Sequence, residues 1–484
     1  MIHTSELNLF LDPAPKGPLY RQVAEAVAKA ILDGRILPGE PLPGIRELAV
    51  MVGVHRNTVL VALRELEAQG WVRAKARCGF YVSGQVPDSA GAPAREAAGG
   101  SLGFDLPGPA PAITDAKGLL MDFSDGVADG RLAPTEALAQ GYLRALRLKG
   151  PELLQSSEFK GLRRLRNGLA EHLAQRRALR LDPEQLLVVR STSMAVSLVA
   201  QTLIGSRGGV VAVEDPGHPG VWETLRQASS ATLHPLPVDA GGLDVAALEA
   251  LLALGPISLL VVTPQCHYPT GVPLEPARRA RTLALASIHR FAILELDIEH
   301  DYLRGEAASH PPLASLDTTG QVIYVGSLSR VFAPGLRQGY LALPAKLADR
   351  FAKARQRMDW QGDALQEWVL SGLMLDGDYR RHLRKVRKAF LERREALLDA
   401  LRHSFAGRLR FDASHGAMAL WLEGEGAWAD PARFEMWVRS CGLNGLKLRP
   451  GSYFRFDGAP LAATRMGFTA HSPEELQQAV ALLG

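Results

Sequence analysis

The stretch from residue 85 to 118 constrains this chain most, because Gly, Ala, Pro and Ser crowd there and no hydrophobic period survives. It reads as a linker, so the regions on either side must each build a core of their own. If flexible, it would span about 30 Å end to end. The 484 residues suffice for roughly three folding units. With 47% hydrophobic and 22% charged residues, the chain can fill sizeable cores, which excludes wholesale disorder and fibrous repeats. No apolar run approaches the roughly 18 residues that a membrane span needs. Met1 to Phe10 has no basic start or long apolar stretch and includes Glu6, so it does not read as a signal peptide. A cytoplasmic protein is expected. Cys78, Cys266 and Cys441 lie far apart without C-x-x-C spacing, which argues against a disulfide framework or a zinc ribbon, and no metal site is expected.

Before the linker, Leu19, Val23, Ala26, Val27, Ala30 and Ile31 fall at the period of an amphipathic helix that Gly34 ends. Ile45, Leu48, Ala49 and Val52 make a second short helix stopped by Gly53, and Arg56 to Gln69 a third, with Val59, Leu63 and Leu66 inward. Trp71 to Ala74 and Phe80 to Val82 flank a basic turn and read as a β-hairpin. Three helices and a hairpin make a winged helix-turn-helix. The formal net charge is only +4, so any DNA contact must come from a local patch. Residues 41–84 carry six Lys/Arg against three Glu, which permits one.

After the linker the rhythm changes to strand, glycine-bearing loop and helix, with strands expected at Leu186 to Val189, Gly209 to Val213, Ile257 to Val262, Phe291 to Leu296 and Val322 to Val325. Such alternation implies an open, largely parallel sheet wrapped by helices, with ligands at the carboxyl ends of the strands. Long charged helices follow, Lys346 to Gln361 and Tyr379 to Arg402. Shorter strands and a last helix, Pro473 to Leu483, complete a smaller α+β domain. The α/β chain therefore divides into 1–84, the linker 85–118, a large domain 119–345 and a small domain 346–484.

At Leu42-Pro43-Gly44-Ile45-Arg46-Glu47-Leu48-Ala49 and Gly53-Val54-His55-Arg56-Asn57-Thr58-Val59 the sequence resembles the GntR family of bacterial transcription factors. The likeness runs from Pro18-Leu19-Tyr20-Arg21-Gln22-Val23 to Gly79-Phe80-Tyr81-Val82. Arg56, Asn57 and Thr58 then occupy the first turn of the recognition helix, where side chains reach base edges. Arg46 would anchor the phosphate backbone, and Arg73, Lys75 and Arg77 would set the wing beside the minor groove. Taken singly, each arginine reads equally well as a solvated surface residue; together with the helix spacing they point to double-stranded DNA. The family usually has serine at the positions of Gly44 and His55, so hydroxyl–phosphate bonds are expected to be lost there. His55 would substitute a pH-sensitive contact.

From Met121-Asp122-Phe123 onward the chain looks like a fold-type I aminotransferase behind a GntR domain, the arrangement of the MocR subfamily. The likeness rests on residues 213–220, 263–271, Tyr324-Val325-Gly326-Ser327-Leu328-Ser329-Arg330, Pro334 to Tyr340, and Thr464-Arg465-Met466-Gly467-Phe468. It implies pyridoxal phosphate (PLP) chemistry, with Asp297 against the pyridine nitrogen, Arg337 on the phosphate, Ser327 and Ser329 flanking the lysine position, and Arg465 gripping a carboxylate. Tyr268 lies in one of the matching segments. Where the family commonly has tyrosine near the cofactor, this chain has Ser156, His218 and His300, and Ser191-Thr192-Ser193 replaces a G-S-Q phosphate turn. His218 and His267 read equally well as hydrogen-bonded structural residues.

The family's S-x-x-K pattern reads Ser327-Leu328-Ser329-Arg330, and no lysine occurs between Lys160 and Lys346. Arginine keeps the charge but cannot deprotonate to become the amine nucleophile. The resemblance therefore implies a catalytically inactive, homodimeric regulator, with no covalent cofactor. Arg330, Arg337 and Arg465 would share an anion-attracting cleft for noncovalent PLP or another anionic small-molecule effector. Two other readings stand beside it: a PLP-dependent aminotransferase with an accessory DNA module, and a dimeric repressor without a ligand.

Overall fold

The computed structural model describes residues 17–75, 79–84, 121–155, 158–302, 310–411 and 418–484. Arg77, Cys78, Ser156 and the linker lie outside the described residues. The chain splits into two compact units, Met1–Ile113 and Thr114–Gly484.

In the first unit, helices α1 (Leu19–Leu32), α2 (Ile45–Val52) and α3 (Arg56–Ala68) precede a hairpin of β1 (Val72–Lys75) and β2 (Gly79–Val82). Val23, Val27 and Ile31 of α1, Leu48 of α2, and Val59, Leu63 and Leu66 of α3 meet in one apolar cluster, so the three- and four-residue spacings do bury a stripe. The turn between α2 and α3 is short because Gly53 takes a left-handed conformation, φ 67°, that closes α2 without a Cβ clash. The hairpin is antiparallel, with Val72 opposite Val82 and Lys75 opposite Gly79, and it forms the wing.

The second unit is built on an eight-stranded sheet. Its strands are β4 (Leu186–Val189), β5 (Gly209–Asp215), β6 (Ala231–Asp239), β7 (Gly242–Leu243), β8 (Leu259–Val262), β9 (Ala292–Leu296), β10 (Val322–Ser327) and β11 (Gly339–Ala342), in the order β4-β11-β10-β9-β8-β5-β6-β7. Strands β10, β9, β8, β5 and β6 run parallel, while β11 is antiparallel to both neighbours and β7 to β6. Every residue of β4 and β8 is buried, which is why both read as unbroken Leu-Leu-Val-Val runs rather than as alternation. One face packs on α6 (Thr192–Leu203) and α7 (Pro219–Ala228), the other on α8 (Val245–Leu254) and α9 (Pro276–His289).

After α4 (Thr135–Leu153), a second core gathers α5 (Arg163–Arg177) and the 28-residue helix Asp378–Phe405 with an antiparallel sheet of Leu409–Arg410, Ala419–Gly424 and Ala463–Gly467, closed by the helix Pro473–Leu482. The two-residue strand β3 (Met121–Asp122) pairs in parallel with Leu446–Lys447, tying the start of this unit to its late sequence. No helix among the described residues is long and apolar enough to cross a membrane.

Candidate functional site

The parallel strands deliver their carboxyl ends to one cavity of about 170 Å³. Asp297 follows β9, Thr263 follows β8, and His218 lies three residues beyond β5. Thr192 and Ser193 open α6, whose N-terminus is capped by the Ser191 side chain accepting from the Met194 N–H at 3.1 Å. Of the expected cofactor residues, Thr192, Ser193, His218, Tyr268, Asp297, Arg330 and Arg465 line this cavity.

Asp297 is fixed from behind. Its Oδ2 accepts from Arg177 Nε (3.0 Å) and Nη2 (2.5 Å) and from the Tyr324 hydroxyl at 2.9 Å. Its Oδ1 is buried and has no partner. A carboxylate oxygen left unpaired on a cavity wall is an acceptor awaiting a donor, because such burial costs about 1–3 kcal/mol when unmatched. On the opposite side, His218 stacks on Tyr268 with ring centroids 4.3 Å apart, and the Arg465 guanidinium lies 4.5 Å from the Tyr268 ring centre. Burial holds His218 neutral, its pKa pushed down to about 4.

The arginines of the cavity are already matched. Arg465 donates to Glu299 Oε1 at 3.1 Å, to the Pro269 carbonyl at 3.0 Å and to Asp125 Oδ1 at 3.4 Å. Burial works against its charge, but Glu299 and Asp125 outweigh that and hold its pKa above the ordinary arginine value. Arg330 reaches Asp125 Oδ2 at 3.3 Å and the Gly126 carbonyl. Burial alone would raise the Asp125 pKa; Arg330 and then Arg465 pull it below the usual carboxylate range. Two carboxylates thus face two guanidinium groups, and the expected surplus of positive charge is absent from these side chains.

Four expected residues fall elsewhere. Arg337 is exposed, left-handed at φ 45°, and outside the cavity lining. Ser327 is buried at the end of β10, paired in register with Gly339. Ser329 Oγ accepts from the Gln338 N–H at 2.6 Å, so its hydroxyl clamps the loop between β10 and β11. His300 turns away, with Nδ1 2.9 Å from the Asp297 carbonyl. In the single chain Arg337 thus stands apart from Arg330 and Arg465, whose charges are met by tertiary carboxylates. His267 is a buried structural residue outside the lining, its Nδ1 2.7 Å from Thr270 Oγ1. Sequence reasoning missed Asp125, Glu299 and Arg177. Asp125 stands 205 residues from Arg330, and no local spacing signals that pairing.

In the first unit, Arg46, His55, Arg56, Asn57, Arg73 and Lys75 are all exposed, and Thr58 is half-buried. Lys75 lies 5.5 Å from the Tyr81 ring centre. His55 is the N-cap of α3, its Nδ1 accepting from the Asn57 N–H at 3.3 Å, so the imidazole does the work of a hydroxyl cap. At Gly44, which has no side chain to cap with, Glu47 instead accepts from the Gly44 N–H at 2.9 Å.

Residues 120–483 match the family described as aminotransferase class I and II, and residues 19–82 match bacterial regulatory proteins of the gntR family. The chain is similar to the probable rhizopine catabolism regulatory protein MocR of Rhizobium meliloti, 28% identical over 98% of this chain and 94% of that one. It is likewise similar to the HTH-type transcriptional regulator TauR of Rhodobacter capsulatus, at 29% identity over 98% and 97%. Among solved structures, LysN, an alpha-aminoadipate aminotransferase from Thermus thermophilus complexed with N-(5'-phosphopyridoxyl)-L-leucine, matches with a TM-score of 0.68. It is 26% identical and covers 76% of this chain and 91% of its own. Sheet order and cavity thus define a fold-type I aminotransferase scaffold, and the chain belongs to the aminotransferase class I and II family. With a gntR-family domain ahead of that scaffold, it has the architecture of the MocR-type regulators.

Proposed function

We propose that this chain is a homodimeric, cytoplasmic transcriptional regulator that binds duplex DNA through its winged helix-turn-helix, associates with the nucleoid when bound, and senses a small molecule in an inactive aminotransferase scaffold. Arg330 carries this reading. It occupies the lysine position, cannot deprotonate, and is tied to Asp125 and the Gly126 carbonyl. The names of the MocR and TauR relatives support the regulatory role. In the proposed dimer, two recognition helices read two half-sites.

The cavity fits PLP as a noncovalent guest. The unpartnered Asp297 Oδ1 is placed to accept a ring N–H, and the hydroxyls and free N–H groups of Thr192 and Ser193 at the start of the twelve-residue α6 suit a phosphate. His218 and Tyr268 supply a flat wall. In an enzyme this cofactor withdraws electrons from an amine joined to it, chemistry that relies on a lysine amine this chain lacks at 330. What would remain is binding: Asp297, held by Arg177 and Tyr324, would orient the ring, and the α6 terminus would hold the phosphate. An effector that fits one conformation better shifts DNA affinity by linkage.

The test is a fluorescence titration of the full-length protein on duplexes selected from a random library, with and without PLP, beside an amino-donor assay. Sequence-selective binding altered by PLP, no borohydride-fixed mass and no transamination are expected. Turnover by the wild type would overturn the proposal, whereas a DNA response to another anion but not to PLP would transfer the cavity to that effector.

A further inference from the structure

Three side chains outside the ligand cavity converge, each with a polar atom left unpartnered. His172 on α5, and His300 and Asp301 just after β9, bring one ring nitrogen of each histidine and an Asp301 carboxylate oxygen within 4.8 Å of one another. All three residues have side chains at least nine-tenths buried. His172 Nε2, His300 Nε2 and Asp301 Oδ1 are each buried without a hydrogen bond. Three orphaned polar atoms at one point would each cost about 1–3 kcal/mol if left so.

Hydrogen bonds from their surroundings orient two of the three side chains. His300 Nδ1 sits 2.9 Å from the Asp297 carbonyl, which can only accept; Nδ1 is therefore the donor, and Nε2 is the ring position left for a ligand. Tyr379 donates to Asp301 Oδ2 at 2.9 Å, which orients the carboxylate and leaves Oδ1 toward His172 Nε2 at 3.9 Å. His300 Nε2 lies 3.3 Å from Asp301 Oδ2. Around zinc, with bonds of about 2.0–2.1 Å, ligand atoms stand about 3.3 Å apart, so side-chain rotation of about an ångström closes the site.

We propose that His172, His300 and Asp301 bind a divalent transition metal of the zinc type. Two imidazoles and one carboxylate select such a cation over magnesium or calcium, which prefer all-oxygen shells. His172 and Tyr379 also line a second cavity of about 440 Å³, distinct from that of Asp297, so the cluster borders open space on its His172 side. Arg176, Arg380, Arg384 and Arg387 line the same cavity and oppose a bare cation. The fourth ligand is therefore an anion, held between metal and guanidinium groups. This site stands independently of the regulatory reading.

Full-length protein stripped with a chelator, then incubated with zinc chloride and desalted, should retain one equivalent of zinc per chain by elemental mass spectrometry and melt at a higher temperature. His172→Ala and Asp301→Asn should each lose that equivalent. A wild type that retains no zinc, or variants that retain as much, overturns the proposal. Should the variants not fold, cobalt(II) added to the stripped wild type decides. The strong visible bands of four-coordinate cobalt, removed by zinc, support the site, and the pale spectrum of hydrated cobalt refutes it.

Discussion

The first unit leaves the cations of its helix-turn-helix and hairpin open, whereas the aminotransferase-like unit neutralises those of its cavity. Among the described residues, Arg46, Arg56, Arg73 and Lys75 stand exposed without an ion pair. At the cavity and just behind its wall, Arg177 pairs with Asp297, Arg330 with Asp125, and Arg465 with Glu299 and Asp125. The contrast follows from solvent. An exposed cation stays hydrated and ready to displace counterions from a polyanion, whereas a buried one must bring its own carboxylate or pay several kcal/mol in desolvation. A surface that reads DNA can thus be recognised by unpaired charge. A pocket has to be judged by what is left unpaired inside it, here Asp297 Oδ1.

The sharpest way to break this contrast is Arg465→Met. Removing the guanidinium strands Glu299 in a buried site, and the expected loss of stability is about 3–5 kcal/mol by chemical denaturation. The double variant with Glu299→Gln should recover a large part of it, since the orphaned charge goes too. A single variant as stable as wild type would mean that these charges are not matched as described. On the exposed side, Arg56→Ala should leave stability nearly unchanged while weakening operator binding about 10- to 100-fold. Unaltered affinity in a salt-controlled titration would place the DNA-reading surface elsewhere.

Buried carboxylates sharpen the comparison through pH. Glu214 accepts from the Thr263 N–H and hydroxyl at 3.0 and 2.7 Å, and burial pushes its pKa up to about 8 from an ordinary 4.5. Between those values the unfolded chain ionises this group and the native one does not, so its contribution is fully present below 4.5 and is lost as pH rises through 8. The slope approaches about 1.4 kcal/mol per pH unit. Glu295 and Glu367, each raised to about 7 chiefly by burial, act in the same direction. Glu214→Gln should flatten the fall in stability between about pH 6 and 8 relative to wild type. Parallel curves would show that Glu214 is ionised in the native protein.

The same contrast decides what the sequence reveals. Unbroken runs such as Leu186–Val189 and Leu259–Val262 mark strands buried on both faces, and those are legible. Strand β6 is not, because Pro235 and Pro237 argue against a strand and its residues are largely half-buried or exposed. It lies near the sheet edge, where only the two-residue β7 flanks it on one side, and prolines are tolerated there. For the cavity, the resemblance points to Asp297 at the end of an apolar strand and to Arg330 and Arg465 within recognisable segments, and all three line it. The pairing of the two arginines depends on Asp125 and Glu299, and that of Asp297 on Arg177, all brought in by tertiary folding. Arg337 fits its motif, yet the left-handed turn exposes it.

The smallest expected effect lies at the start of the recognition helix. His55 Nδ1 accepts the Asn57 N–H, which is possible only while that nitrogen is unprotonated. Replacing a cap by alanine costs about 0.5–2 kcal/mol, so His55→Ala should destabilise the first unit by about 1 kcal/mol, and His55→Ser, which restores a hydroxyl acceptor, should not. Chemical denaturation of wild type, His55→Ala and His55→Ser measures the cap, and titrating duplex DNA against the same three proteins at fixed pH and salt measures any contact of the imidazole with DNA. If the three bind alike, the imidazole is a passive cap, and affinity at this surface rests on the arginines and Lys75.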